Sequence, residues 1–230
     1  MKRFFTPLFI VFLLAACGTP ATETTPQVVR VQYTFAAQPW LAGVYDCVGE
    51  TIVFAEPRSA DYFDYSSMDM AIRIGQPDVL TTPAYQIGTE EIVIIVNPQN
   101  PVATFTAQDA RALFSGQIGN WHELGGADLP VQVWVYAAGE DVQWVFDAAV
   151  MQGTQVTSTA RLAVSPEAMA AGIAADPGAV GFLPLHWMSG NVHVVNLPAD
   201  LDEALTVPVL AIIPSEPQGA VRGIIACLQR

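Results

Sequence analysis

The segment Glu91 to Val96 limits the possible folds of this chain more than any other feature. It is apolar from its second residue onward. It lacks polar alternation and stops at Asn97-Pro98, which is typical of a strand buried on both faces, as in a parallel sheet. Comparable short runs alternate along the chain with segments of helical spacing. This alternation predicts an α/β fold with largely parallel sheets, and the shortness of the runs favours two small sheets over one large one.

Helix-start signals support this division of the chain. Thr106 and Asp109 form a variant of the capping box and predict a helix that ends at Ser115. Ser165 followed by Pro166 predicts a helix that ends near Ala175. Further helices are predicted over Pro39 to Val48, Glu140 to Met151 and Pro217 to about Leu228.

The first residues predict the compartment. Lys2 and Arg3 precede an apolar run that ends at Leu14-Ala15-Ala16-Cys17. This is the pattern of a secretory signal, and the run is shorter than the roughly 20 residues that span a membrane. The ending resembles the bacterial lipobox, so residues 1–16 are predicted to be removed and Cys17 to carry a lipid. The alternative is an ordinary cleaved signal with a chance cysteine.

The segment 17–27 is rich in Thr and Pro and is predicted to be a flexible tether between lipid and domain. Loss of Lys2 and Arg3 makes the formal net charge of −13 two units more negative. So acidic a surface argues against nucleic acid and anionic membrane surfaces as partners, although it also serves solubility alone.

Motifs for catalysis or cofactor binding are absent from the sequence. His122, His186 and His193 have no metal-ligand spacing with cysteine or carboxylates. The chain has neither a Gly-x-Ser-x-Gly elbow nor a phosphate-binding Gly-x4-Gly-Lys-Ser/Thr loop. We therefore expect a protein that is not an enzyme and that uses no cofactor and no metal.

Three segments carry a resemblance to a known family. They are Leu113 to Trp121 leading into Leu124-Gly125-Gly126, the strand Ile92 to Val96 with Asn97-Pro98, and Asp176 to Phe182. In order and spacing they resemble the phosphate-transporter-type periplasmic substrate-binding proteins. The resemblance is specific from about residue 90 to 185 and weak over residues 28–74.

The resemblance implies a type II periplasmic-binding-protein-like fold, with two small α/β lobes and a ligand cleft between them. Residues 28–86 and 190–230 are expected to form the first lobe and residues 87–189 the second. In this family, helix N-termini and loops hold the ligand, because free backbone N–H groups and the helix dipole point into the cleft.

The chain departs from the family's phosphate-binding pattern. Phosphate binders carry a Ser-Gly-Thr run where this chain has Glu140, Asp141 and Val142, and an Arg near the position of Tyr136. Carboxylates at a helix N-terminus repel an oxyanion, which favours a cationic or polar neutral ligand; alternatively they only cap their own helix. The candidate ligand-binding residues are Gln38, Arg73, Tyr136, Glu140, Asp141 and Gln143.

The resemblance also bears on Cys47 and Cys227. In the implied fold, both ends of the chain belong to the first lobe, so these two cysteines lie on helices of the same lobe. The compartment is oxidising, and we predict a disulfide between them. The alternative is two separate buried thiols that act as small apolar residues.

Together these features predict a bacterial extracytoplasmic lipoprotein, anchored to the cell membrane, that binds a small molecule or an ion. Its expected role is the substrate-binding component of an ABC-type importer, with an ABC permease as partner and a ligand other than phosphate. The alternative is a protein of the same fold that senses or presents a ligand without transport.

Overall fold

The computed structural model describes residues 27–230. The signal segment, Cys17 and the tether up to residue 26 lie outside the described residues, so those predictions stay predictions. The strands are β1 (Val28–Tyr33), β2 (Ile52–Pro57), β3 (Met70–Ile74), β4 (Ala84–Val96), β5 (Gln132–Val135), β6 (Arg161–Leu162), β7 (Ala179–Pro184), β8 (His193–Val194) and β9 (Thr206–Ile212). The α-helices are α1 (Leu41–Cys47), α2 (Ala107–Ser115), α3 (Asp141–Phe146), α4 (Pro166–Ala175), α5 (Ala199–Leu205) and α6 (Gly219–Leu228).

One long strand, β4, takes part in two sheets. Its first part pairs with β9 in a sheet of order β2-β1-β3-β9-β4. Its second part, Ile92 to Val96, pairs with β7 in a sheet that continues through β5 to β6, while β8 pairs with the last residues of β4. The predicted α/β class is thus confirmed. The two small sheets that were expected share β4, so these strands form one continuous hydrogen-bonded path.

The expectation of largely parallel sheets is wrong for half of the pairings. β1 pairs in parallel with β2 and β3, and β5 with β6 and β7. The pairs β3–β9, β4–β9, β4–β7 and β4–β8 are antiparallel. The physical reason is that β9 runs opposite to both of its neighbours, β3 and β4, and that an apolar run is equally suited to either pairing direction.

The helix-start predictions are confirmed where capping chemistry is local. The Thr106 side chain accepts from the Asp109 amide while Asp109 accepts from the Thr106 amide, and α2 ends at Gly116 in the left-handed conformation. Ser165 accepts from the Ala168 amide at the start of α4. The helix predicted over residues 140–151 is α3 followed by a π-helical turn, Asp147–Met151. Helix α5 was not predicted.

The core of the second sheet fixes α3 in place. Phe146 stacks on Phe182 of β7 with ring centroids 3.8 Å apart, and Phe114 of α2 packs against Phe146 at 4.5 Å. All three rings are fully buried. Burial of a large apolar side chain contributes about 1.5–3 kcal/mol. The three rings therefore hold α3 firmly, and its N-terminus faces the carboxyl end of β3.

The predicted disulfide is confirmed. Cys47 is the last residue of α1 and Cys227 lies in the final turn of α6, with their Cα atoms 5.8 Å apart across a sequence separation of 180. The two helices also pack together, since Gly43 lies against the side chain of Leu228. The bond joins the two ends of the described chain, while the exact lobe boundaries at residues 86/87 and 189/190 stay a prediction.

Candidate functional site

The carboxylate of Asp141 lies where the first sheet meets the N-terminus of α3. It accepts hydrogen bonds from the Thr34 hydroxyl at 2.6 Å and from the Ile74 amide at 2.7 Å. Its other oxygen accepts from the Val142 amide at 2.8 Å. Thr34 directly follows β1 and Ile74 ends β3, and these strands are parallel neighbours. The carboxylate thus occupies the edge at which α/β folds of this kind bind ligands, beyond the carboxyl ends of parallel strands.

Burial dominates the electrostatics of this carboxylate. Asp141 is completely buried, and burial raises its pKa, against the lowering effect of the Thr34 and Ile74 hydrogen bonds and of Arg73. A hydrogen bond to a charged group contributes about 1.5–3 kcal/mol, whereas desolvation of a buried ion costs several kcal/mol. The donors therefore offset part of the cost of burial, and the pKa is raised because burial outweighs them.

Arg73, in β3, supplies a buried cation next to this carboxylate. Its side chain is 4% exposed, and its Nε has no hydrogen-bond partner among the described residues. The guanidinium carbon lies 5.0 Å from the centroid of the Trp144 ring. Such a cation–π contact contributes about 0.5–2 kcal/mol. Burial lowers the pKa of Arg73, and the nearby charge of Asp141 opposes that shift.

A cavity of about 800 Å³ opens beside Arg73. A cavity of this size is within the range of about 300–1,000 Å³ that holds small-molecule ligands. The charged groups on its wall are Arg73, Asp78, Asp141 and Asp147. The apolar part of the wall comes from Ile74, Pro77, Val79, Trp144, Val145, Ala148, Ala149, Ala204, Val207 and Pro208.

Glu140 adjoins this site without capping the helix. It is the N-cap residue of α3, yet its side chain makes no capping hydrogen bond. Burial raises its pKa. The preceding turn contacts the loop after β2, because the Ser59 hydroxyl donates to the Gly139 carbonyl at 2.8 Å. The sequence left open whether these carboxylates repel an anionic ligand or only cap their own helix. Capping is limited to one hydrogen bond, which the Val142 amide donates to Asp141.

Two other predicted site residues, Tyr136 after β5 and Gln143 in α3, are joined to each other by a hydrogen bond. The Gln143 side chain accepts from the Tyr136 amide at 2.9 Å and donates to Asp147 at 2.9 Å. The Tyr136 hydroxyl is buried with no hydrogen-bond partner among the described residues, and burial raises its pKa well above the usual value. Its ring meets Phe182 edge-on at 5.4 Å. Gln38 is exposed and does not line the cavity. The structure therefore brings Arg73 and Asp141 together and leaves Gln38 apart.

A separate cluster surrounds Glu90, where β4 passes from one sheet to the other. Glu90 is buried, and its Oε2 accepts from Trp40 Nε1 at 2.9 Å. His186 Nδ1 lies 2.9 Å from that same oxygen and 3.1 Å from Oε1. Trp187 Nε1 donates to the Ala36 carbonyl at 2.7 Å. A side chain at Gly88 would overlap the Trp40 ring, so only glycine fits there. These contacts fasten β4 and the segment that follows β7 to residues 36–40.

Sequence reasoning missed Thr34, Trp144 and Asp147. Thr34 comes directly after β1, and that position was the available signal. Trp144 and Asp147 are three residues apart, so on a helix they share a face. The Pro77–Val79 wall has no sequence signal, because it is an exposed loop without a pattern.

Comparison with known proteins identifies the superfamily. A profile described as the PBP superfamily domain matches residues 81–214, which is more than half of the chain. The chain belongs to the PBP superfamily. The expected resemblance to phosphate-transporter-type binding proteins is thereby confirmed at the level of superfamily and fold.

Solved structures share the fold of this PBP superfamily member. A substrate-binding protein assigned to a phosphate ABC transporter of Clostridium perfringens, solved with bound phosphate, matches with a TM-score of 0.78 and 17% identity, covering 88% of this chain and 93% of that one. An ABC-type phosphate transport receptor from Vibrio cholerae matches at 0.70 and 19%, with coverage of 88% and 93%. The regulatory domain of Synechocystis CcmR, in complex with 2-PG, matches at 0.65 and 12%, with coverage of 88% and 96%. The predicted type II fold is confirmed.

No group of three or more His, Cys, Asp or Glu side chains within residues 27–230 is arranged to hold a metal ion. Over the same residues, no helix combines the length and the apolar character needed to cross a membrane.

Proposed function

We propose that this PBP superfamily member is an extracytoplasmic solute-binding lipoprotein, the substrate-binding component of an ABC-type importer, and that its ligand is not phosphate. The superfamily and the similarity to binding proteins of phosphate importers support a solute-binding role. The cavity beside Arg73 supports a small ligand. The lipid anchor at Cys17 rests on the sequence pattern alone.

The exclusion of phosphate rests on the position of the Asp141 carboxylate. It already takes the Thr34 hydroxyl, the Ile74 amide and the Val142 amide, which are the kind of donors that an oxyanion needs. A phosphate bound there would put a second negative charge within a few ångströms of a buried carboxylate. Like charges at that spacing in a dry site oppose each other strongly enough to prevent both from being ionised.

Isothermal titration calorimetry with inorganic phosphate tests this exclusion. We expect no binding tighter than millimolar for the wild-type chain. A sub-micromolar affinity would overturn the exclusion of phosphate while leaving the binding role intact. A parallel thermal-shift screen over ions, sugars, amino acids and oxyanions tests the binding role itself, because a ligand that binds the folded state raises the melting temperature.

A sensing or ligand-presenting role is the second candidate. The similarity to the CcmR regulatory domain favours it. So does the buried hydrogen bond between Thr34 and Asp141, which joins the two sides of the site through protein atoms. Stimulation of a permease's ATPase activity by the liganded protein would support import. A liganded protein that binds a sensor or another membrane partner, and leaves permease activity unchanged, would support sensing.

We propose a binding role rather than catalysis. None of the described residues that line the cavity is Ser, Cys or His, so the wall offers no nucleophile with an adjacent imidazole base. The Asp141 carboxylate is committed to its hydrogen bonds with protein donors, and one oxygen of Asp147 accepts from Gln143.

A further inference from the structure

The geometry points to a small zwitterion as the ligand of the cavity, with its carboxylate on Arg73 and its ammonium group on Asp147. This inference rests on the proposed solute-binding role and names the chemical class of the solute. It depends on three observations: a buried cation without a hydrogen-bond partner, a carboxylate on the same wall, and the charge balance of that wall.

Arg73 is a buried hydrogen-bond donor suited to bind an acceptor oxygen of the ligand. Its side chain is 4% exposed, its Nε has no hydrogen-bond partner among the described residues, and it lines the cavity. The described residues place it in no ion pair. A buried guanidinium with unused donors is costly, and a ligand carboxylate, which matches its planar fork with two parallel hydrogen bonds, would remove that cost.

Asp147 is the carboxylate best placed for a cation in the ligand. It follows Trp144 by one helical turn, so both side chains lie on the same face of the helix and line the same cavity. Asp147 is partly exposed, and one of its oxygens accepts from Gln143 Nε2 at 2.9 Å. Its other oxygen has no hydrogen-bond partner among the described residues and remains for a ligand ammonium group.

The charged residues of the cavity wall favour a ligand that carries both a negative and a positive group. Asp141 is fully buried, takes three protein hydrogen bonds and offsets the charge of Arg73, while Asp147 and the exposed Asp78 add two further negative charges. A simple anion would meet this excess of negative charge, and a simple cation would leave the Arg73 donors unused. A molecule with one carboxylate and one ammonium group satisfies Arg73 and Asp147 and adds no net charge.

The test measures binding to the purified full-length chain by thermal shift and calorimetry. The probes are L-leucine, 4-aminobutyrate and 5-aminopentanoate, which differ in the spacing between ammonium and carboxylate. Each is compared with the acid that lacks the ammonium group and with the amine that lacks the carboxylate. We expect at least one zwitterion to raise the melting temperature and to bind at least about tenfold more tightly than either of its analogues.

Two variants locate the contacts. Arg73→Lys keeps the charge and loses the planar fork, and we expect it to weaken zwitterion binding at least about tenfold; exposed Arg30→Lys is its matched control. Asp147→Asn keeps an acceptor for Gln143, and we expect it to weaken binding of the zwitterion but not of the acid without the ammonium group. Exposed Asp200→Asn is its control. If Arg73→Lys does not fold, the effect of Asp147→Asn on zwitterion binding still tests the inference.

Three outcomes would contradict the inference, and they separate it from the proposed function. Equal binding of the acid without the ammonium group, unaffected by Asp147→Asn, would overturn the zwitterion. Binding of a sugar, a metal ion or an oxyanion, with no effect from any of the zwitterions, would also overturn it and leave the solute-binding role standing. Absence of binding by every probe, including those ions and sugars, would overturn both.

Discussion

The Thr34 hydroxyl donates a 2.6 Å hydrogen bond to the carboxylate of Asp141, which lies 107 residues later in the chain. Thr34 follows β1 of the first sheet, and Asp141 begins α3, which packs on the second sheet through Phe146. The bond therefore fastens one sheet's edge to a helix of the other. It does so inside the candidate site, where a bound solute would otherwise bridge the two sides.

Asp141→Asn is expected to destabilise the fold by about 1–3 kcal/mol, because its amide nitrogen puts a donor in front of an existing backbone or hydroxyl donor. Chemical denaturation measures the loss, with the exposed Asp200→Asn as control. A double-mutant cycle with Thr34→Val isolates the contact, and we expect a coupling energy of at least about 0.5 kcal/mol. Additive effects of the two substitutions would show that the hydrogen bond contributes nothing.

Reduction of the Cys47–Cys227 disulfide is expected to lower the free energy of unfolding by about 2–5 kcal/mol. The closed loop is long, with a sequence separation of 180, so the bond removes much of the freedom of the unfolded chain. Denaturation of the Cys47→Ser/Cys227→Ser double variant measures the loss. Titration of thiols in the denatured, unreduced protein checks the bond itself, and two free thiols from these positions would contradict it.

Mild acidification is expected to stabilise the fold. Burial raises the pKa of Glu140, Asp141 and Asp147, so the folded state takes up these protons at a higher pH than the unfolded state. The free energy of unfolding therefore increases as the pH falls from neutral through these raised values, and the gain is complete below the ordinary carboxyl pKa of about 4.

Denaturation at a series of pH values measures this dependence. Replacement of Glu140 by Gln together with Asp147 by Asn is expected to flatten it. The matched control removes the same number of charges from the exposed surface of α5, as Asp200→Asn with Glu203→Gln. Equal flattening in both double variants would mean that general charge repulsion, and not burial at the site, causes the dependence.

Cys17 is expected to be the first residue of the mature protein and to carry the lipid. Cys17→Ser should leave unprocessed precursor or release the protein from the membrane, and mass spectrometry of the wild-type N-terminus measures the modification directly. An intact signal segment, or an unmodified N-terminus at another position, would be inconsistent with a lipoprotein.

Local chemistry was predictable from the sequence, whereas the site depended on contacts between distant segments. The Thr106–Asp109 capping box and the Ser165 cap were correct because each motif satisfies its own backbone within three residues. The disulfide was correct because the implied fold brings the chain ends together. The strand directions of β4 and β9 were not predictable, since the apolar runs within these strands have no preferred pairing direction.

The same distinction between local and long-range contacts applies to the candidate residues. Arg73 and Asp141 were selected by position, and both line the cavity. Their partners were not apparent: the bond to Thr34 spans 107 residues, and the contact of Arg73 with Trp144 depends on how α3 packs beside β3. The side chain of Gln143, another candidate, accepts a hydrogen bond from the Tyr136 amide.

The bond between Cys47 and Cys227 also determines what a protease would leave behind. The loop after β3 is open to solvent, with Val79 74% exposed, and lies within the segment that the bond encloses. A single cut there produces two fragments that remain covalently joined, so the nicked protein migrates as one species until a reductant separates it. Damage to the rim of the cavity could thus accumulate without any fragment being shed.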